Sequence, residues 1–227
     1  MAKVDINGNW HGKLGDYVYY VRNGKQMRRS LPTPHKGPKT EGMKKNALYA
    51  TEFGTAALTS KHLRKALEQE FGNLGERYLS QQVNALLFQI KNCDPAPVGS
   101  RTPVGGLETA EGKALFNRFI FHQHRRKFPK ILNAVLRGVE IEVVMNPCRT
   151  EASLTELQIN LITGDFRRHD YRLTPADQKK PVVIKKKFRA KKGYSFFVFI
   201  AGKDSLQGVV LEKAEESPEK QAAEESL

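Results

Sequence analysis

The chain of 227 residues is strongly basic, with 38 Lys and Arg against 24 Asp and Glu and a formal net charge of +14. Its hydrophobic content of 39% suits a globular protein with its own core, while the absence of a long apolar run or a signal-like start argues against a membrane or secreted protein. Cys93 and Cys148 lie far apart and outside any C-x-x-C pattern, which favours free thiols and a cytoplasmic location.

The first element expected in chain order is a β-hairpin. Residues 17–22 are rich in strand formers, and Asn23-Gly24 is the pair preferred in a tight type I′ turn. The return strand is expected over residues 26–31. Because Pro recurs three times in residues 32–40, we predict an extended arm there rather than a helix or strand.

Four helices are predicted between residues 41 and 122. The first begins after the N-cap Thr40. The apolar stripe expected to be buried on this helix comprises Met43, Ala47, Ala50, Phe53 and Ala57. Further helices are expected over residues 60–71, 74–91 and 109–122, with a loop over residues 93–112. The inward side of the 74–91 helix should hold Leu79, Val83, Leu86, Leu87 and Ile90.

After about residue 130 the pattern changes to short strands of alternating polarity. Val139, Ile141 and Val143 are expected to share one buried face. Further strands are predicted near residues 157–161, 171–173, 182–185, 195–200 and 208–211. The fold class is therefore predicted to be α+β. We expect a basic β-hairpin and arm (1–40), a helical region (41–130), an antiparallel β-sandwich-like domain (131–211) and a disordered acidic tail (212–227).

The N-terminal residues carry a resemblance. At Lys13-Leu-Gly15-Asp-Tyr-Val18-Tyr-Tyr20-Val-Arg22-Asn23-Gly24-Lys25, then at Arg28/Arg29, Pro32 and Pro38-Lys39-Thr40, the chain resembles a family of uncharacterised bacterial proteins. These begin with a G-K-x-G-x-x-V-x-Y hairpin, an R-N-G-K turn and a P-(K/R)-T segment before a helix. The likeness covers roughly the first 55 residues. Glu41-Gly-Met-Lys-Lys stands where that family has a Gln-rich helix start. Since the family has no known function, the resemblance implies a segmentation and no activity.

Positive charge is densest in the first 50 residues, which carry ten Lys and Arg against three acids. A hairpin tip, an arm and a helix start are places where cations can converge on phosphates, so this first basic block is a candidate nucleic-acid site. Its candidate contacts are Arg22, Lys25, Arg28, Arg29, Lys36, Lys39, Lys44 and Lys45. Tyr17, Tyr19 and Tyr20 either offer flat faces to bases or pack beneath the hairpin while the charges face water.

Two further basic clusters are candidate phosphate contacts. The second cluster is Arg125, Arg126 and Lys127. The third combines Lys179 and Lys180 with the basic run 185–192, in which the candidate contacts are Lys185, Lys187 and Arg189. That run is equally typical of an edge strand whose lysines prevent aggregation between sheets. His122 and His124 have no third ligand nearby in sequence, so no metal site is expected.

No catalytic motif is present, and no cofactor is expected. Residues 99–106 lack the Gly-Lys-Ser/Thr ending of a P-loop, and neither G-x-S-x-G nor H-E-x-x-H occurs. Two functional classes remain. One is a non-enzymatic protein that binds nucleic acid or another polyanion through phosphates. The other is a structural or assembly protein that binds protein partners through its hairpin and β-domain edges. The acidic tail either competes with phosphates or serves solubility alone.

Overall fold

The computed structural model describes residues 3–33, 37–74, 79–123, 128–146, 148–203 and 205–213. Contacts divide the chain into two compact units, Met1–Met43 and Lys44–Leu227. Both helices and antiparallel sheets are present, which confirms the predicted α+β class. None of the helices in the described ranges has the length and apolar content that crossing a lipid bilayer requires.

The first unit is a four-stranded antiparallel sheet in the order β1-β2-β3-β4. Its strands are β1 (Lys3–Val4), β2 (Trp10–Leu14), β3 (Tyr17–Arg22) and β4 (Lys25–Ser30). The predicted hairpin is β3–β4, and its turn residues Asn23 and Gly24 have the positive φ angles, 52° and 74°, that a type I′ turn demands. The strands β1 and β2 were not predicted. No side chain described within residues 3–33 is buried.

The second unit contains nearly all of the helical structure. Its helices are α1 (Glu41–Ala66, which begins in the first unit), α2 (Glu68–Leu74), α3 (Leu79–Asn92), α4 (Pro103–Glu108) and α5 (Ala110–Arg118). The Oγ1 of Thr40 accepts the Met43 N–H at 3.3 Å, as expected of an N-cap. Helix α3 buries all five residues predicted to face inward. The loop expected over residues 93–112 instead contains α4, which is capped by Thr102.

The predicted buried stripe of α1 is wrong. Ala47, Ala50 and Phe53 are exposed. The buried side is formed by Glu52, Ala56, Thr59, Ser60, Leu63 and Ala66. Leu63 and Ala66 of this face belong to the apolar core beneath the helices. Glu52 can be buried with them because its carboxylate accepts a hydrogen bond from Lys91 of α3 and another, at 2.7 Å, from the N–H of Gly99.

Two sheets complete the second unit. One has the order β10-β7-β6-β13 and the other β5-β12-β11-β8-β9. Their strands are β5 (Ile120–Gln123), β6 (Lys130–Arg137), β7 (Glu140–Asn146), β8 (Ala152–Ile159), β9 (Phe166–Leu173), β10 (Val182–Lys185), β11 (Ser195–Gly202), β12 (Ser205–Val210) and β13 (Glu212–Lys213). The strand β10 lies at a sheet edge, as predicted. Residues 120–122, predicted to end a helix, instead belong to β5. The strand β13 pairs with β6 at the start of the segment predicted to be disordered.

The five-stranded sheet is covered on both faces. Phe197 and Phe199 of β11 lie in one apolar cluster with Leu63 and Leu87 of the helices. The alternate residues of the same strand, including Val198, lie in a second cluster. That cluster also contains Ile131, Ala134, Leu136, Ile141, Val143 and Met145 of the four-stranded sheet. The layers of the second unit are therefore helices, five-stranded sheet and four-stranded sheet.

One residue of the predicted buried triplet is misplaced. Ile141 and Val143 of β7 are fully buried, but Val139 is 64% exposed. Val139 follows Gly138, whose φ is 60°, in the turn that joins β6 to β7. The alternating pattern in the sequence therefore begins one residue before β7, and this first apolar residue, Val139, faces water.

This difference gives a matched pair of substitutions. Ile141→Asp places a carboxylate without a partner in the core and should lower the free energy of unfolding by at least about 4 kcal/mol or prevent folding. Val139→Asp should change it by less than about 0.5 kcal/mol. Urea unfolding followed by circular dichroism measures both. Equal losses in the two variants would contradict the assignment of the buried face.

Candidate nucleic-acid interface

The register of the N-terminal sheet sorts its side chains onto two faces. Residues paired across antiparallel strands share a face, and neighbours along a strand alternate. Lys13 pairs with Val18, and Val18 pairs with Arg29. Arg22 pairs with Lys25 at the end of the hairpin. The face that contains these residues, here called the basic face, comprises Lys3, His11, Lys13, Val18, Tyr20, Arg22, Lys25, Met27 and Arg29.

The basic face concentrates positive charge, and one acid, Asp5, lies beside it with its carboxylate 2.9 Å from His11 Nε2. Its Lys and Arg side chains are all exposed, and none of its strand residues is acidic. Arg22 and Lys25 are directly opposed, with about 5 Å between their Cβ atoms. Lys13 and Arg29 flank Val18 at a separation of about 10 Å. Like charges this close repel one another, so binding of an anion relieves the repulsion.

The opposite face has a different character and is here called the aromatic face. It comprises Val4, Trp10, Gly12, Leu14, Tyr17, Tyr19, Val21, Gln26, Arg28 and Ser30. The guanidinium carbon of Arg28 lies 4.8 Å from the centre of the Tyr17 ring. Arg28 is thus separated from Arg29, its neighbour in the first basic block. The three tyrosines of β3 are also divided, because Tyr20 lies on the basic face.

Side-chain hydrogen bonds to the backbone hold this small sheet together. The Oε1 of Gln26 accepts the Trp10 N–H at 2.7 Å, and its Nε2 donates to the Trp10 carbonyl at 3.0 Å, which links β4 to β2. Asp5 accepts the N–H groups of Asn7 and Asn9, each at 2.9 Å, in the turn that joins β1 to β2. Its second oxygen lies 2.9 Å from His11 Nε2. The N–H of Asn9 and the His11 ring lower the pKa of Asp5 to about 2.

The rest of the first basic block is not part of the sheet. Lys39 is exposed in the segment before α1, and Lys36 lies outside the described residues. Lys44 and Lys45 are exposed on α1 and belong to the second unit, one helical turn after Glu41. The cations that the structure brings onto one face are therefore those of the strands. The second cluster, residues 125–127, also lies outside the described residues.

The third cluster has a structural role in its backbone. The N–H groups of Lys187 and Phe188 donate to the buried carboxylate of Glu156 at 3.0–3.2 Å, and the Arg189 carbonyl accepts from Gln158 at 2.8 Å. The side chains of Lys187 and Arg189 are exposed. Lys185 of β10 lies directly opposite Glu140 of β7 in the sheet. This cluster therefore offers fewer unopposed cations than its sequence suggests.

The same carboxylate affects a neighbouring tyrosine. Burial and the negative charge of Glu156 raise the pKa of Tyr171 to about 12, and the Tyr171 hydroxyl donates to the Lys185 carbonyl at 3.2 Å. Tyr171 is thus neutral at physiological pH and joins the edges of the two sheets. Its hydrogen bond to the Lys185 carbonyl gives Tyr171 a structural role between β9 and β10.

Some basic residues were missed by the sequence analysis. Lys3 and Lys13 belong to β1 and β2, which were not predicted. Once β2 is paired with β3, the register places Lys13 on the same face as Val18 and Arg29.

The strand β9 carries Arg168 and Arg172. Arg168 is paired with Glu70 at 2.7 Å and with Asp170 at 2.8 Å, which fastens α2 to β9. Burial lowers the pKa of Arg168, but these carboxylates more than offset it and the pKa lies above its ordinary value.

A groove near Arg172 brings Lys179 and Lys180 of the third cluster beside this arginine, which the sequence analysis missed. It has a volume of about 800 Å³ and lies between the edge strands β9 and β10. Leu173 and Ile184 line it together with the exposed cations Arg172, Lys179 and Lys180. Within the described ranges, no three His, Cys, Asp or Glu side chains are grouped so as to hold a metal ion.

Comparison with known proteins adds no functional assignment. No protein-family model matches the chain, and no curated protein or solved structure matches it significantly. The resemblance of the first 55 residues to an uncharacterised bacterial family stays a prediction. The geometry of the N-terminal sheet is the basis for the functional argument.

The lowered pKa of Asp5 gives a pH prediction for the first turn of this sheet. The Asp5 carboxyl has a pKa of about 2 in the folded chain and near 3.8 in an unfolded chain, so folding is favoured when it is ionised. The carboxylate therefore stabilises the turn fully above about pH 3.8, and this stabilisation is lost as the pH falls through about 2. In NMR spectra, the amide signals of Asn7 and Asn9 should hold steady down to about pH 4 and then move with a midpoint near 2. A midpoint near 4 would contradict these contacts, and Asp5→Asn should abolish the transition.

Proposed function

We propose that the protein binds nucleic acid without catalysis, through phosphate contacts made by the basic face of its N-terminal sheet. The observation that carries this proposal is the strand register. It aligns Lys3, Lys13, Arg22, Lys25 and Arg29 on one exposed face with no acidic strand residue among them. Cations in such an array displace the counterions condensed on a phosphate backbone, and this release favours binding.

The side chains between the cations favour backbone contact over base reading. Val18, Tyr20 and Met27 occupy the middle of the basic face. None of these three side chains offers the paired donor and acceptor with which Asn or Gln recognises adenine. The Arg side chains of the basic face are suited to either guanine or phosphate. The flexible Lys and Arg side chains bind phosphates as point charges or forks. We therefore expect affinity that depends strongly on salt and weakly on sequence.

Other cations add to the attraction without adding specificity. The net charge of +14 steers a polyanion toward the molecule. The exposed side chains of Lys39, Lys44, Lys45, Lys187 and Arg189 are further candidates for phosphate contact. An assembly function would instead give partner binding that survives at high salt, since an interface with proteins depends less on counterion release.

Arg28 and Arg29 provide a matched test on duplex DNA. They are adjacent, exposed and of the same type, but lie on opposite faces of β4. Arg29→Ala should weaken duplex binding about tenfold at ~50 mM salt and reduce the slope of log affinity against log salt by about 0.9, whereas Arg28→Ala should change neither. Fluorescence anisotropy with a labelled duplex measures both quantities.

Two results would contradict the proposed function. One is equal weakening of duplex binding by Arg28→Ala and Arg29→Ala, which would mean that the basic face is not the binding surface. The other is the absence of any binding by micromolar wild-type protein at ~50 mM salt, where nonspecific binders are active. Both side chains are exposed, so both variants should keep the melting temperature of the wild type. A large loss of stability would place that arginine in a structural network.

Removal of residues 214–227 tests the competition expected from the acidic tail. The cut follows Lys213 because residues 212 and 213 form β13. Loss of five Glu and one Lys changes the formal charge from +14 to +18. If tethered carboxylates compete for the cations, the shortened chain should bind duplex more tightly, most clearly at low salt. Equal affinity at low and physiological salt would contradict competition, and weaker binding would indicate that the segment contributes to docking.

A further inference from the structure

The aromatic face leaves flat rings accessible to a ligand. Trp10 is 42% exposed and Tyr17 40% exposed, while Tyr19 is half-buried. Leu14, on the same face, is 47% exposed. Aromatic rings that lie open on a sheet can stack on nucleic-acid bases, and every base offers a face for this contact.

The spacing of the rings leaves room for bases. Tyr17 and Tyr19 are two residues apart on β3, which places them about 7 Å from each other along the strand. The partner of Tyr19 on β2 is Gly12, whose φ of 104° favours glycine. Gly12 therefore places no side chain beside Tyr19 on this face. Trp10 lies two residues before Gly12 on β2 and shares the face with both tyrosines.

Positive charge adjoins the rings on the edge strand. Arg28 lies against Tyr17 on the aromatic face, while Lys25 and Arg29 project from the same strand onto the basic face. The strand β4 is the edge of the sheet, so a polynucleotide backbone that follows it meets cations on both sides. Bases attached to that backbone can then turn over the aromatic face. A duplex cannot do this, because its bases are paired and stacked on one another.

We propose that the aromatic face stacks the bases of single-stranded nucleic acid, and that the protein therefore prefers single strands to duplex. This inference rests on the proposed function and names its substrate class. A second copy of the chain is a poorer occupant. Four strands of about five residues span roughly 300 Å², far below the ~800 Å² per partner of a stable interface. Self-association would also bring the Arg28 side chains of two copies onto one small interface.

The experiment uses Trp10, which is the only tryptophan of the chain and reports on its own face. The full chain is titrated with single-stranded oligo-dT, with a duplex of equal length and with heparin, which carries charge but no bases. Oligo-dT should quench the Trp10 emission and bind more tightly than duplex. Duplex and heparin should bind with little quenching. Labelled nucleic acids give the affinities by anisotropy in the same buffer.

Two substitutions at Tyr19 separate stacking from structure. Tyr19→Phe keeps the ring and should bind oligo-dT like the wild type. Tyr19→Leu keeps apolar bulk without a flat face and should weaken oligo-dT binding about fivefold or more, with no change in duplex affinity. Circular dichroism establishes that both variants fold like the wild type.

Several outcomes would overturn the inference. One is equal quenching of the Trp10 emission by heparin and by oligo-dT, and another is oligo-dT binding by Tyr19→Leu as tight as that of the wild type. A third is a blue shift of the Trp10 emission that grows with protein concentration in the absence of nucleic acid, which would indicate a second copy of the chain on this face. If these occur while duplex binding still depends on Arg29, the proposed function stands and only base stacking fails. If no nucleic acid binds at all, both proposals fail.

Discussion

Burial of the five-stranded sheet on both faces is the constraint on which the second unit depends. A strand in this position needs apolar side chains in both directions, and β11 supplies Phe197 and Phe199 to the helices while Val198 and Ile200 face the other sheet. Packing beneath these rings is close. A Cβ atom added to Gly208 would lie 2.3 Å from the ring of Phe199. Even one methyl group at Gly208 would therefore have to displace the Phe199 ring.

The carboxylates of Glu52 and Glu156 are buried in the second unit, and each has hydrogen-bond partners there. Burial would raise the pKa of Glu52, but its hydrogen bonds with Lys91 and Gly99 outweigh that effect and hold the pKa below its ordinary value. Glu156 is held by backbone N–H groups of residues 187 and 188. Each buried carboxylate is therefore hydrogen-bonded inside the protein, as burial of a charge requires. The N-terminal sheet differs, since none of its described side chains is buried and strand alternation places five of its cations on the face opposite Trp10, Tyr17 and Tyr19.

Much of the fold could be predicted because local patterns agree with it. The Asn-Gly turn specified the β3–β4 hairpin, and alternation specified β7 to β12 in outline. Predictions failed where burial depends on a distant partner, as for Glu52 of α1, which is buried with Lys91 of α3 as its partner. The β2 strand was missed because Gly12 interrupts its apolar pattern, and Lys13 was missed with it. Opposite orientations of Arg28 and Arg29 follow from strand alternation, so that part of the candidate site was already implicit in the predicted hairpin.

Side-chain NMR of the arginine Nε–H groups tests the central claim most directly, because it observes the wild-type chain during titration with duplex DNA. Our account predicts that the signals of Arg22 and Arg29, on the basic face, shift progressively and that those of Arg28 and the ion-paired Arg168 stay in place. Shifts confined to Arg189 in the third cluster, or shifts of Arg28 equal to those of Arg29, would contradict binding by the basic face.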